Sequence, residues 1–232
     1  MNIDPFLRKL LAEFLGVSLF LTAIIGAVNG GLDVKTAALA TVLGLAILVT
    51  APISGGHLNP AVSIYFYSRK EISLKDLLGY IVAQILGGLF GAYIGLTIWG
   101  KTPTFTSGNA SPGAILGELF ATGGLVWLVG RLASTKGGHL IPAAVGLWVF
   151  AVASATPTGG QANPAVSIAL LLNGQGGAAT AQLILAQLAG MLIASVFITV
   201  FAEKVAAKKA EAPEAPKSVA KKAPAKKTAA KK

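Results

Sequence analysis

The sequence predicts an all-α membrane protein, with six transmembrane helices and two half-helices arranged in two inverted repeats. Three observations lead there. Of 232 residues, 54% are hydrophobic and 12% are charged, too apolar and too charge-poor for an ordinary soluble domain. Long apolar runs follow one another, each near the roughly 20 residues that a membrane span needs. The first half of the chain also returns in the second half at a nearly constant offset.

The long runs are Phe6–Ala27, Thr36–Ala51, Leu74–Ile98, Ala114–Ala133, Leu140–Ala155 and Ala178–Phe201. Arg8 and Lys9 before the first run imitate a signal peptide, but the run is long and further spans follow, so it reads as an uncleaved first helix. Two shorter runs, Asn59–Tyr67 and Asn163–Leu172, give only about 15 Å of helix at 1.5 Å per residue. They cannot cross about 30 Å of hydrocarbon, but they can enter it and stop.

The repeat is explicit. Gly55-Gly56-His57-Leu58-Asn59-Pro60-Ala61-Val62-Ser63-Ile64 returns 104 residues later as Gly159-Gly160-Gln161-Ala162-Asn163-Pro164-Ala165-Val166-Ser167-Ile168, identical at eight of ten positions. Glu13 has its counterpart at Glu118, 105 residues on, and Gln84 at Gln187, 103 residues on. The repeats divide the chain into residues 1–103 and 104–203. Each holds three spans, an odd number, so the second must run upside down relative to the first. Interrupted hydrophobic segments at matching places in inverted halves point to a site near the membrane midplane.

Basic residues orient the chain. With a cytoplasmic N-terminus, the inner segments hold Arg8, Lys9, Arg69, Lys70, Lys75, Arg131 and Lys136, against Lys35 and Lys101 outside, which places both termini in the cytoplasm. Trp99, Trp127 and Trp148 read as interface anchors. The segment 204–232 is a Lys/Ala/Pro-rich tail with ten lysines against two glutamates, or +8 of the net +10. Its composition predicts a disordered, solubilising extension. Anionic lipid is its next expected contact, at about 1 kcal/mol per near-surface lysine. Nucleic acid is not expected, since no aromatic or fold signal for base readout accompanies the charge.

The repeated motif has a physical logic. Inside a bilayer, non-helical backbone survives only where it is buried in protein or lines a wet cavity. Asn59 and Asn163 suit N-caps, and Pro60 and Pro164 suit the first helical position, where no amide hydrogen is needed. Half-helices entering from opposite faces would bring two N-termini together, each with about half a positive charge. They would repel cations, while the asparagine amides donate to a passing oxygen, which favours neutral hydroxylic solutes over protons and metal ions.

With these motifs, residues 5–203 resemble the major intrinsic proteins, the aquaporins and aquaglyceroporins. The resemblance implies a right-handed aquaporin-like bundle, a homotetramer with one pore per subunit, and conduction of water or small neutral solutes. It implies that Asn59, Pro60 and Ala61, with Asn163, Pro164 and Ala165, form the pore motifs. It further implies that Glu13 and Glu118 accept hydrogen bonds from the two loops behind the pore, with His57 a loop-stabilising residue. A carboxylate within a span costs about 2.5–3.5 kcal/mol on insertion scales, so each Glu needs such partners. Gln84 and Gln187 are expected to bond between helices.

The chain departs from the family where the second motif usually continues with Arg, because Val166 follows Ala165. Counting from the asparagines transfers the remaining filter positions to Leu39, Gly160 and Ala151, or Ala153 if the following loop is shorter. Such a filter is small, apolar and uncharged. It suggests an opening wider than in water-selective members, passing ammonia, small amides or polyols beside water. Ser167 stands where glycerol facilitators carry Asp, which weakens a dedicated glycerol assignment.

Two other classes compete. A secondary transporter would need ion-coupling acids, and apart from Asp76 at the very start of the third run, Glu13 and Glu118 are the only acids within spans. A largely structural protein with a closed pore would be expected to carry longer outer loops. No nucleophile–base pair or phosphate loop suggests an enzyme. The absence of cysteine excludes thiolate metal sites, two distant histidines make none, and no cofactor is expected.

Overall fold

A computed structural model describes residues 3–29 and 35–210, with side chains as far as Phe201. Its elements are α1 (Pro5–Asn29), α2 (Lys35–Ser54), α3 (Pro60–Ser68), α4 (Leu74–Ile98), α5 (Pro112–Ala133), α6 (Ile141–Ala155), α7 (Pro164–Ala169) and α8 (Gly177–Ala210). One 3₁₀ turn, Gly138–Leu140, leads into α6 and another, Leu170–Leu172, extends α7. Among the described residues there is no strand, only a single bridge between Thr104 and Asn173. Among the described residues, six helical segments are long and apolar enough to cross a membrane, α6 together with the 3₁₀ turn before it (Gly138–Ala155). The two half-helices remain short. α8 continues to Ala210, past the expected start of the tail, while residues 211–232 lie outside the described residues.

Local chemistry sets the ends. Ser73 caps α4 by accepting from the Asp76 amide, and Ser111 caps α5 by accepting from the Ala114 amide. Pro112, Pro142 and the two motif prolines occupy first-turn positions.

The helices pack as the repeat requires. α1 pairs with α4 in the first half as α5 pairs with α8 in the second, and α2 packs on α6 across the halves. Close approach depends on missing side chains. A Cβ on Gly87 or Gly91 would run into the backbone of α1 at Phe14 and Ser18, and one on Gly190 into α5 at Leu119. Thr22 adds a hydrogen bond to the Gly91 carbonyl at 3.0 Å. Large apolar residues such as Leu19, Leu48, Leu116 and Leu185 remain exposed on the outside, a surface suited to lipid.

Trp148 departs from the interface-anchor expectation. It packs over Gly124 and donates from Nε1 to the Ala121 carbonyl at 2.9 Å, wedging α6 against α5. Trp99 and Trp127 are half-exposed.

Candidate functional site

The site is built where the two half-helices begin. Asn59 and Asn163 hold extended backbone ahead of α3 and α7, and each Oδ1 accepts from the amide two residues on, at Ala61 (2.9 Å) and Ala165 (3.0 Å). Each side-chain amide also reaches across the pseudo-twofold. Asn59 Nδ2 donates to the Ala162 carbonyl at 2.7 Å, and Asn163 Nδ2 to the Leu58 carbonyl at 2.8 Å. Leu58 and Ala162, the residues before the asparagines, both lie in the left-handed region at φ 49° and 48°. That backbone is unfavourable for a side-chain-bearing residue. The crossed hydrogen bonds hold it in place by fixing both carbonyls.

Behind each loop a buried carboxylate gathers four donors. Glu13 accepts from Ser54 Oγ (2.6 Å), the amides of His57 (3.0 Å) and Leu58 (2.6 Å), and Gln84 Nε2 (2.8 Å). Glu118 accepts from Thr158 Oγ1, the amides of Gln161 and Ala162 (both 2.8 Å), and Gln187 Nε2 (2.7 Å). Gln84 and Gln187 then donate to Ser63 and Ser167 of the half-helices. Both glutamates are fully buried, and fully donated carboxylates are what such burial requires. The hydroxyls of Ser54, Thr158 and Ser63 were not singled out from sequence, and Ser167 was noted only for standing where glycerol facilitators carry Asp.

The loops differ at one pair of positions. His57 shares a hydrogen between Nδ1 and Ser63 Oγ at 3.1 Å and stacks on Phe66. Its counterpart Gln161 accepts from Ser167 Oγ and donates to Gln175, which in turn bonds the Ser167 carbonyl and Thr180. Both residues brace their loops.

Asn59 and Asn163 both line one cavity, with Leu43, Ile47, Val62 and Val145. Its volume, ≈ 50 Å³ for the centres of water-sized spheres, exceeds the roughly 10–15 Å³ that one water needs. Each asparagine amide has two N–H groups and commits one to the opposite loop, leaving one for a solute oxygen. Among the described residues, no cluster of His, Asp or Glu is arranged to hold a metal ion.

The filter residues named from sequence are not all brought together. Val166 is buried in the first turn of α7, and Gly160 is buried at φ 59°. Leu39 is partly buried against the same apolar cluster as Val166. Ala151, however, is exposed on the face of α6 that also carries Leu147, and Ala153 is half-buried. Val152 is the α6 residue in contact with Gly160 and in the cluster with Val166. Counting from Asn163 names Ala151 or Ala153 instead, because the rotation of α6 against the loop before the second motif is not fixed by residue spacing.

Spanning helices around two half-helices that meet at capped N-termini define the class: an integral membrane protein with re-entrant loops from both faces. The sequence profile of the family described as Major intrinsic protein matches residues 2–158, and the chain belongs to that family. Aquaglyceroporin AqpS of Rhizobium meliloti is 31% identical over 70% of this chain and 74% of its own length. A glycerol uptake facilitator protein-like protein of Lactiplantibacillus plantarum is 34% identical, covering 70% and 82%. The lens fiber major intrinsic protein of Gallus gallus is 39% identical over 48% of this chain, which spans only 44% of that relative. In fold, the chain is similar to the X-ray structure of the aquaglyceroporin from Plasmodium falciparum, with a TM-score of 0.69 and 24% identity, covering 87% of this chain and 99% of that one.

Proposed function

We propose that this protein is a passive transmembrane channel for water and small uncharged solutes such as polyols, ammonia and small amides. The observation that carries the reading is the crossed pair of capped half-helices, with Asn59 and Asn163 lining the same cavity. Two N-termini aimed at one point place positive potential on the path, which rejects protons and metal cations, while the remaining amide hydrogens replace water around a neutral oxygen. Glu13 and Glu118 act through the loops and do not touch the permeant. The relatives named aquaglyceroporin and glycerol uptake facilitator support a solute range beyond water.

Val166 occupies the place where the family's second motif usually carries Arg, so this turn offers no guanidinium to a polar solute. The channel is further proposed to work as a homotetramer in the plasma or inner membrane, with both termini in the cytoplasm and the lysine-rich tail near anionic lipid. Stopped-flow light scattering on proteoliposomes with water, glycerol, urea and ammonia tests the reading. Flux above that of empty liposomes, linear in solute concentration, is expected. Saturable, ion-gradient-dependent uptake would assign the protein to secondary transport instead. Val166→Arg should lower the flux of the larger solutes, and equal glycerol flux in the variant and the parent would reject a role for this position in selection.

A further inference from the structure

We infer that the cleft behind the first re-entrant loop binds a small primary carboxamide, at a site apart from the pore. The inference goes beyond the channel reading and stands whether or not the pore conducts. The cleft opens where α1 and α4 begin, with Lys9, His57, Lys70, Glu71, Asp76 and Tyr80 among its walls. Its volume, ≈ 650 Å³ for the centres of water-sized spheres, is far above the roughly 10–15 Å³ that one water needs. The second repeat shows what fills the matching place. Gln175 lies behind the second loop, where its carboxamide accepts from Gln161 Nε2 at 2.7 Å and donates to the Ser167 carbonyl and the Thr180 hydroxyl, both at 2.9 Å.

The first repeat keeps that turn but leaves its place open. The Glu71 amide donates to the Phe66 carbonyl as the Gln175 amide donates to Leu170, both at 3.0 Å, each after a left-handed residue. Two residues, Ile72 and Ser73, join Glu71 to α4, where Gly176 alone joins Gln175 to α8. The Glu71 side chain is exposed and makes no hydrogen bond or ion pair among the described residues. His57 is left with an open donor. Ser167 accepts from Gln187 and gives its own hydrogen to Gln161 Oε1. Ser63 accepts from Gln84 in the same way, so its hydrogen goes to His57 Nδ1 and the ring hydrogen sits on Nε2. Nε2 has no hydrogen-bond partner among the described residues, although His57 is only 9% exposed, and a buried donor calls for one. The cleft supplies an acceptor as well. The Asp76 carboxylate takes Lys9 at 3.1 Å and Ser73 at 2.8 Å, and still has lone pairs to offer. Two lysines against two carboxylates favour neither an anion nor a cation. A primary carboxamide meets both groups, its oxygen taking the His57 hydrogen and its N–H groups reaching Asp76, as Gln175 serves Gln161 and Thr180. Gly55, His57 and Phe66 also wall the cavity of the two asparagines, so the occupant would steady the loop that borders the pore.

Acetamide is the probe, and N,N-dimethylacetamide, which keeps the carbonyl but has no N–H, is its contrast. The chain holds only two histidines, so NMR of the purified full chain with isotope-labelled histidine reads His57 directly, with His139 as reference. Acetamide should shift the His57 Nε2 resonance saturably and leave His139 alone, while N,N-dimethylacetamide at equal concentration should not. Asp76 lines the cleft and not the pore cavity, so Asp76→Ala, checked for thermal unfolding, should lose the response. Ile72→Trp, which blocks the cleft from its rim, should lose it too and takes the decision if Asp76→Ala does not fold. No saturable shift in the parent overturns the inference. An equal shift with N,N-dimethylacetamide overturns it as well, since the cleft would then be merely wet. A response retained in the folded variant means that acetamide reaches His57 from the pore side, which overturns it too. Flux plays no part in the readout, so a failure here leaves the channel reading standing, and an impermeable pore leaves the site standing.

Discussion

Glu13 and Glu118 tie the residue scale to the pore, because each fixes two loop amides, one hydroxyl and one helix glutamine at once. Replacing either by Gln turns one acceptor oxygen into a donor that faces existing donors. Each donor left without a partner costs about 1–3 kcal/mol. Glu118→Gln should therefore lower the unfolding temperature of the purified protein and reduce flux, and an unchanged melting temperature would show that the carboxylate is dispensable. At this scale the sequence was informative where the repeat doubled a residue. Both glutamates, both glutamines and both asparagines stood out at one offset. The contact of Val152 with Gly160 did not, because it is set by the rotation of α6, and counting back from Asn163 across an intervening loop cannot fix that rotation. The bracing role of Gln175 was equally hidden, since the first loop uses His57 in place of the glutamine chain.

At the scale of elements, hydrophobic run length fixed the number of spans, and the Asn-Pro start fixed the half-helices. The helix ends were less legible. α2 runs to Ser54, through Pro52, because the backbone hydrogen bonds and the Ser54 contact with Glu13 hold its last turn. Small-residue packing is the element-level claim open to test. Gly91→Ala should destabilise the α1–α4 pair by about 1–3 kcal/mol or more, as expected when a well-packed contact is overfilled. Gly113, whose added Cβ would meet nothing closer than 3.8 Å, serves as the contrast. Gly113→Ala should be neutral or stabilising by up to about 1 kcal/mol. Thermal unfolding of both variants in one detergent checks the pair, and equal losses would contradict the packing account.

For the whole molecule, the inverted repeat matters most, since it brings two equivalent N-termini to one place, each braced by the same carboxylate and glutamine. The fold class and its order of spans could be read from sequence because odd spans per repeat force the inversion. How α6 sits against the second loop could not be read, since the rotation of the helix, not the length of the run, sets that contact. Assembly belongs to this scale too. A homotetramer should give a protein mass near four times 23.5 kDa by native mass spectrometry after detergent removal, and a monomer would leave the α2–α6 outer face to lipid alone. The most direct test of the central claim is water flux recorded together with an internal pH dye in proteoliposomes under an osmotic and a proton gradient. The expected result is water flux above that of empty liposomes with no added proton leak. Water flux at the level of empty liposomes, or proton entry that rises with protein content, would contradict a passive channel guarded by paired half-helix N-termini.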